Sequence, residues 1–489
     1  TPAPSATPVP SATPAPTATP APTATPSPTP APSDVIQVTV NLTPHAETIG
    51  QSTLVSFGVP LPPGVLYDTS QIVVRDETGI EIPVFIKSLG NWTEMPPESM
   101  LCNGLDPARA PGVRSVFVQF TRSFTSTATI PYVVELNANP STARLAEANV
   151  RTGYRLVTEG SFQSADNVQE PLVYATLPSR WLACSLIAPN EQPLSSDYLG
   201  TETVNQLNNW FTSFTNPATT PYRTGYEPWL YDRSQTFFNN YIRSGSITHL
   251  REAIRNTQFF FDRFSNAGSF SMRAGDPKYS YNENQYSHYL LTGDSQITSK
   301  IVSSVAAHTQ INRNSFFTER NLAMGLHAQV TRYDFAASTG LNPTNVATYR
   351  SAIATTIGEV EWMINNPNFR YSYGPNALRT GCINYYVEDD STTLGFSPWM
   401  SSLLAQALAR AYVSTGDTRI PTIMTDLGHC LVDYGSVTSG AYLLPLYTAS
   451  AVSATPQWPN GDTDGDSQHA LDVGYAVALA AYLTPDSAA

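Results

Sequence analysis

Lysine is almost missing from this chain: Lys87, Lys278 and Lys300 are the only three in 489 residues. Charged residues of every kind reach 13%, and the formal net charge is −13. Such a balance offers no basic face to a phosphate backbone, so nucleic acid is not an expected partner. Nearly all positive charge is arginine, whose planar fork suits a carboxylate. No apolar run is long enough to span a bilayer, so no membrane association is expected. No charged-plus-apolar leader starts the chain, which reads as a mature or trimmed product. The four cysteines, Cys102, Cys184, Cys382 and Cys430, make no CxxC pair and no zinc spacing. Two disulfides and four buried thiols fit them equally well. A glycine-rich phosphate loop and a Gly-x-Ser-x-Gly elbow are also lacking.

Aromatic residues, by contrast, are plentiful: Tyr 25, Phe 20 and Trp 7. Most of them are expected to pack helices together, yet the excess of flat, hydroxylated side chains also suits a sugar-binding cleft. At this length the chain should divide into two or three domains.

Residues 1–33 are Thr, Pro, Ala, Ser and little else. Proline at that density holds an extended polyproline II spacer and denies it a core. Pro/Thr linkers of this kind commonly tether catalytic domains to carbohydrate-binding modules in secreted bacterial enzymes, so such a module is an expected partner. From Val35 the pattern becomes short alternating runs, Val35–Leu42, Thr53–Val59, Ile72–Asp76, Ile80–Ile86, Val113–Arg122 and Thr129–Leu136, with turns at Gly64, Gly79 and Pro140. Residues 34–140 therefore read as an antiparallel sandwich or barrel. Residues 141–195 form a β-rich bridge with strand-like pieces at Tyr154–Val157, Leu172–Ala175 and Trp181–Leu186.

Residues 196–489 carry a helical repeat. Tyr289-Leu-Leu-Thr-Gly-Asp294 and Tyr412-Val-Ser-Thr-Gly-Asp417 are the same corner, with echoes at Tyr241–Gly245, Phe335–Gly340 and Tyr482–Asp486. Glycine closes one helix at positive φ, and aspartate caps the next. Helices are expected at about 228–245 with 247–264, 281–293 with 295–310, 317–338 with 343–365, 396–415 with 419–434, and 467–484.

Two resemblances follow. The series Ser56-Phe-Gly-Val-Pro-Leu-Pro-Pro-Gly64, Val73-Val-Arg-Asp-Glu-Thr-Gly79, Ile82-Pro-Val and Gly112-Val-Arg-Ser-Val-Phe-Val-Gln-Phe120 resembles the N-terminal β-domain of exo-rhamnogalacturonan lyase-like proteins. The consecutive hairpins resemble the (α/α) toroid of polysaccharide lyases and several glycoside hydrolases, here about six hairpins. These resemblances imply a secreted carbohydrate-active enzyme with a polysaccharide substrate and its reactive groups at a common mouth of inner-helix starts.

Four segments would reach such a mouth: 226–233, 278–288, 318–321 and 384–399. A lyase removing a proton beside a uronate carboxylate needs that carboxylate neutralised and a tyrosine or histidine to move the proton. Tyr279, Tyr281, Tyr286, Asn284 and His288, with Arg320 and Asn321 opposite, supply those groups. Trp229, Tyr231, Arg233, Tyr385 and Trp399 are the matching sugar-binding candidates. A hydrolase needs two carboxyl groups, from Glu227, Asp232, Glu283, Glu319, Glu388, Asp389 and Asp390, although acidic residues at helix starts also simply suit the helix dipole. Cleavage of an acidic glycan by β-elimination is the favoured expectation, hydrolysis the alternative, and a non-catalytic glycan-binding protein the third. No cofactor is expected. Asp462, Asp464 and Asp466 alternate as calcium ligands can, but without the closing glutamate of an EF-hand a capped loop is preferred. His469 and Asp472 beyond that loop could also reach the mouth.

Overall fold

The computed structural model describes residues 35–102, 104–146, 161–163, 169–189, 191–194, 225–230, 232–341, 343–369, 379–387, 390–440, 442–451 and 469–484. The Pro/Thr segment, Tyr154–Val157, Tyr231, Glu388, Asp389 and the Asp462/Asp464/Asp466 loop lie outside them. Antiparallel sheets occupy the N-terminal part of the chain and helices dominate the C-terminal part.

Two sheets form from the alternating runs. One has the order β3-β6-β1-β9 and joins Ile72–Arg75, Ile130–Leu136, Ile36–Pro44 and Val173–Thr176. The other has the order β2-β5-β4 and joins Ser52–Pro60, Val113–Ser123 and Phe85–Asn91. The run expected at Ile80–Ile86 enters its sheet only at Phe85; before it, Glu81 makes a single bridge to Arg75, and its carboxylate accepts the backbone N–H groups of Ser141 and Thr142. The bridging segment supplies β7 (Ser161–Gln163) and β8 (Gln169–Pro171), which pair with each other, and β9, which extends the first sheet beside β1. Trp181–Leu186, read as a strand, is instead largely the short helix α1, Ser179–Cys184. Pro178 sits at its N-cap in extended geometry, where a missing N–H costs nothing.

The longer helices are α2 (Arg233–Ser244), α3 (Ile247–Arg263), α4 (Glu283–Thr292), α5 (Glu319–Thr339), α6 (Pro343–Asn365), α7 (Pro398–Thr415), α8 (Ile420–Asp433) and α9 (Ala470–Leu483). The repeated corners behave as their chemistry requires. Gly293 and Gly416 close α4 and α7 at φ 75° and 62°, and Asp294 and Asp417 accept the N–H of Gln296 and Arg419 at 3.1 Å. The last echo differs: α9 ends on Thr484 in extended geometry, without a left-handed residue. The helix expected at 295–310 is replaced by two 3-10 turns, Ile297–Lys300 and Ser303–Ala307. Small strands that the sequence pattern did not announce, β10 (Tyr385–Val387), β11 (Asp390–Phe396) and β14 (Ala449–Ser450), form a third sheet, and β12 (Ser436–Ser439) pairs with β13 (Tyr442–Pro445).

In space α2 contacts α4, α4 contacts α5, α5 contacts α7 and α7 contacts α9, while α3 packs on α2, α6 on α5 and α8 on α9. The sheet β2-β5-β4 lies against the C-terminal ends of α4 and α5. Ser115 Oγ donates to the Leu290 carbonyl at 2.8 Å, and Tyr289 Oη donates to the Leu89 carbonyl at 2.9 Å. One apolar core consequently runs from Val116, Phe117 and Val118 of β5 into Phe237, Tyr241, Leu290 and Phe335 of the helices. Residues 113–120 are buried without alternation for this reason. Disulfides join Cys102 to Cys184 and Cys382 to Cys430. Among the described residues no helix is long and apolar enough to cross a membrane.

Candidate active site

A cavity of about 420 Å³ lies among the five neighbouring helices. Each gives one face: Gln235, Asn239 and Arg243 from α2; Glu283 at the start of α4; Met324, His327 and Ala328 from α5; Leu403, Gln406 and Arg410 from α7; and Leu471, Asp472 and Tyr475 from α9. Spacings of three and four residues align these side chains along single helix faces. Glu191, from the segment before α2, also lines the cavity.

Asp232 is the least ordinary residue of the cavity wall. It caps α2 from a left-handed backbone, φ 55° and ψ 66°, a conformation that costs a non-glycine residue roughly 1 kcal/mol or more. Its Oδ1 accepts the N–H of Gln235 at 3.0 Å and Asn284 Nδ2 at 2.9 Å. Its Oδ2 is buried and has no hydrogen-bond partner among the described residues. Burial, with the Glu283 charge adding to it, pushes the carboxyl up to about 7. A carboxyl that titrates near neutrality can both give and take a proton at working pH.

Glu283, the residue before Asn284, lines the same cavity, and its charge bears on Asp232. The Glu283 carboxylate accepts from Arg410 Nη1 and lies 3.6 Å from His327 Nδ1. Burial lowers the His327 imidazole below its ordinary range, which keeps it neutral at pH 7. Glu191 pairs with Arg243, and burial raises its carboxyl. Outside the lining residues, the buried Trp399 stacks on His469 at 4.8 Å and lies beside the exposed Tyr447 at 5.9 Å.

The candidates read from the sequence are distributed over several places. Tyr281, Asp232, Glu283 and Asp472 line the cavity, and Asn284 holds Asp232 from behind. Arg320 and Asn321 line a separate groove of about 430 Å³ with Arg273, Asp276 and Lys278. Tyr279 packs in an aromatic cluster with Trp229, Phe259, Phe260 and Phe270; Trp229 is stacked on Phe259 at 5.0 Å and is no free sugar platform. Tyr286 lies in the core shared with the sheets and bonds Ser338 Oγ at 2.8 Å. His288 is wholly buried, 3.8 Å from Asp294. Arg233 donates to Asn256 at 2.9 Å inside the fold, and Tyr385 is buried against Met400. Glu319 is buried between α5 and α7, where it accepts from Ser401, and desolvation raises it to about 8. Glu227 is exposed on a 3-10 turn. His327, Arg410 and Arg243 went unmarked in the sequence. They stand away from the helix starts that the sequence marks.

Among the described residues no group of three or more His, Cys, Asp or Glu side chains is arranged to hold a metal ion. Comparison with known proteins leaves the site to speak through its own chemistry: no family model, no curated protein and no solved structure matches the chain.

Proposed function

We propose that the helices form an (α/α) toroid around the cavity, that the two N-terminal sheets form a sandwich, and that the protein is a secreted carbohydrate-active enzyme cleaving glycosidic bonds with Asp232 and Glu283. The observation that carries this reading is Asp232: a buried carboxyl with one oxygen that no described residue partners and a raised pKa, in the same cavity as a second carboxyl, Glu283. Asp232 then serves as the acid that protonates the leaving glycosidic oxygen. The Glu283 carboxylate faces the positive charge that develops at the anomeric carbon, as a nucleophile or as the base for a water. Disulfide bonding fits an oxidising, extracellular compartment, and residues 1–33 fit a tether to a carbohydrate-binding module.

A second reading, β-elimination on a uronate-containing glycan, keeps one observation in its favour: Tyr281 and His327 share the cavity with Arg410. It is the weaker reading because Arg320, Asn321, Tyr286 and His288 stand elsewhere.

Incubation with a panel of neutral, pectic, alginate and glucuronan polysaccharides separates the two. Hydrolysis gives new reducing ends without ultraviolet absorbance, whereas elimination gives the absorbance of an unsaturated uronate. Asp232→Asn keeps the N-cap and tolerates the left-handed backbone, and it is expected to lower kcat by about 100-fold or more. Because the acid must be protonated, wild-type activity should decline above about pH 7. Full activity in the Asp232→Asn protein would remove the assignment.

A further inference from the structure

The charge that faces the cavity at Glu283 continues inward as an alternating series that ends in the sheet. Arg410 reaches Glu283 through Nη1, while its Nη2 lies 3.8 Å from Asp334 Oδ2. That same Asp334 oxygen accepts from Ser414 Oγ at 3.0 Å and lies 3.9 Å from Nη2 of Arg114. Arg114 belongs to β5, and its guanidinium sits 4.0 Å from the Trp92 ring centre and 5.3 Å from that of Tyr286. Side-chain exposure is 17% at Glu283, 3% at Arg410, 6% at Asp334 and 7% at Arg114. Little water screens these charges, so each one acts strongly on the next.

One guanidinium, Arg410, thus stands between two carboxylates. Left to themselves, Asp334 and Glu283 compete for it. Arg114 supplies Asp334 with a second cation, which leaves Arg410 free to hold Glu283. We infer that Arg114, a residue of the β region, is a positioning residue for the Glu283 carboxylate, acting through Asp334 and Arg410. The inference rests on the reading of Glu283 as a cleavage carboxylate, but its geometry is independent of any substrate. It makes the N-terminal sheet a working part of the cavity rather than an appended module.

A plain structural role for Arg114 predicts that any loss there is made worse by losing Asp334 too. Positioning predicts the opposite, because removing Asp334 removes the competitor. The test is a cycle of Arg114→Met, Asp334→Asn and the double variant in the full chain, with Arg114→Lys as the charge-keeping control. His327 is the reporter that needs no substrate, since its ring lies 3.6 Å from Glu283. In histidine-labelled protein its imidazole resonances, assigned by loss in His327→Gln, should move in Arg114→Met, return toward wild type in the double variant, and stay in place in Arg114→Lys. On a polysaccharide that the cleavage assay identifies, Arg114→Met should lower kcat by about tenfold or more at nearly constant KM, and the double variant should recover most of it. Where Arg114→Met fails to fold, Arg114→Gln, which keeps donors for Asp334 without the charge, is expected to show the same loss. An unmoved His327 signal in the folded single variant, or a double variant no nearer wild type, overturns the inference. If no glycan is cut at all, the cleavage reading falls while the His327 measurement still decides this one.

Discussion

Asp232 and Glu319 are two acids that folding makes harder to ionise, with burial lifting them to about 7 and about 8. Both folded-state values lie above those of an unfolded chain. Their contribution to stability is therefore complete below the ordinary carboxyl range and is lost as pH rises toward 7 and 8. Each unit of displacement is worth about 1.4 kcal/mol, so Glu319→Gln should gain on wild type by several kcal/mol between pH 4 and pH 9, as read from urea unfolding at the two pH values. A constant difference would mean that Glu319 ionises freely where it sits. The site itself was partly legible from residues of this kind. Asp232, Glu283 and Tyr281 stand at helix starts, where sequence marks both an N-cap and a mouth-facing position. His327 and Arg410 stand in the middle of helices, and nothing local tells a cavity-facing polar residue from a surface one until the helices are arranged.

Helix corners were read well because glycine and aspartate act there through their own backbone neighbours. Gly293 adds a second demand: a Cβ would come within 2.2 Å of the Phe117 ring, so the corner is also a socket for β5. Gly58 in β2 is tighter still, since a Cβ would lie 2.1 Å from the Leu290 carbonyl oxygen, which is backbone and cannot turn aside. Gly58→Ala is expected to cost at least about 3 kcal/mol, at or above the upper end of ordinary overpacking. Gly50→Ala makes the comparison, because its φ of 74° is strained but nothing lies within 4 Å, and it should cost only about 1 kcal/mol. Equal losses in chemical denaturation would show that the approach of β2 to α4 can relax. The elements that were misread are those whose form is set by tertiary contacts. Residues 295–307 are rich in Ser, Thr and β-branched side chains, which favour local hydrogen bonds over a continuous helix, as Thr298, Ser303 and Ser304 show by donating to carbonyls three residues back. The strands β10 to β14 interrupt the helical rhythm with segments too short to show a period.

For the molecule as a whole, the division into an N-terminal sheet region and a C-terminal helical region was visible in the change of hydrophobic period near residue 200. Their union was not, because a core shared by residues far apart leaves no mark on either stretch. The cysteine pairing was equally undetermined by spacing. Cys102–Cys184 spans a sequence separation of 82 and fastens the sheet region to α1, while Cys382–Cys430 spans 48 within the helical region. Loop closure of that size is worth about 4 kcal/mol, so Cys102→Ser with Cys184→Ser should lower unfolding stability by up to that amount. The wild-type protein unfolded in the presence of a thiol reductant, which removes both bonds, should lose at least as much, and no change in the double variant would mean that this bond constrains nothing. The shared core also has a consequence for synthesis. Both faces of β5 must be covered, yet its helical cover at Leu290 leaves the ribosome about 150 residues after Leu136, the end of the last strand that the first half needs before β9. At about 5–20 residues per second that is a wait on the order of 10 s with an oily sheet surface uncovered, so the nascent chain should be a client of ribosome-associated chaperones during that interval.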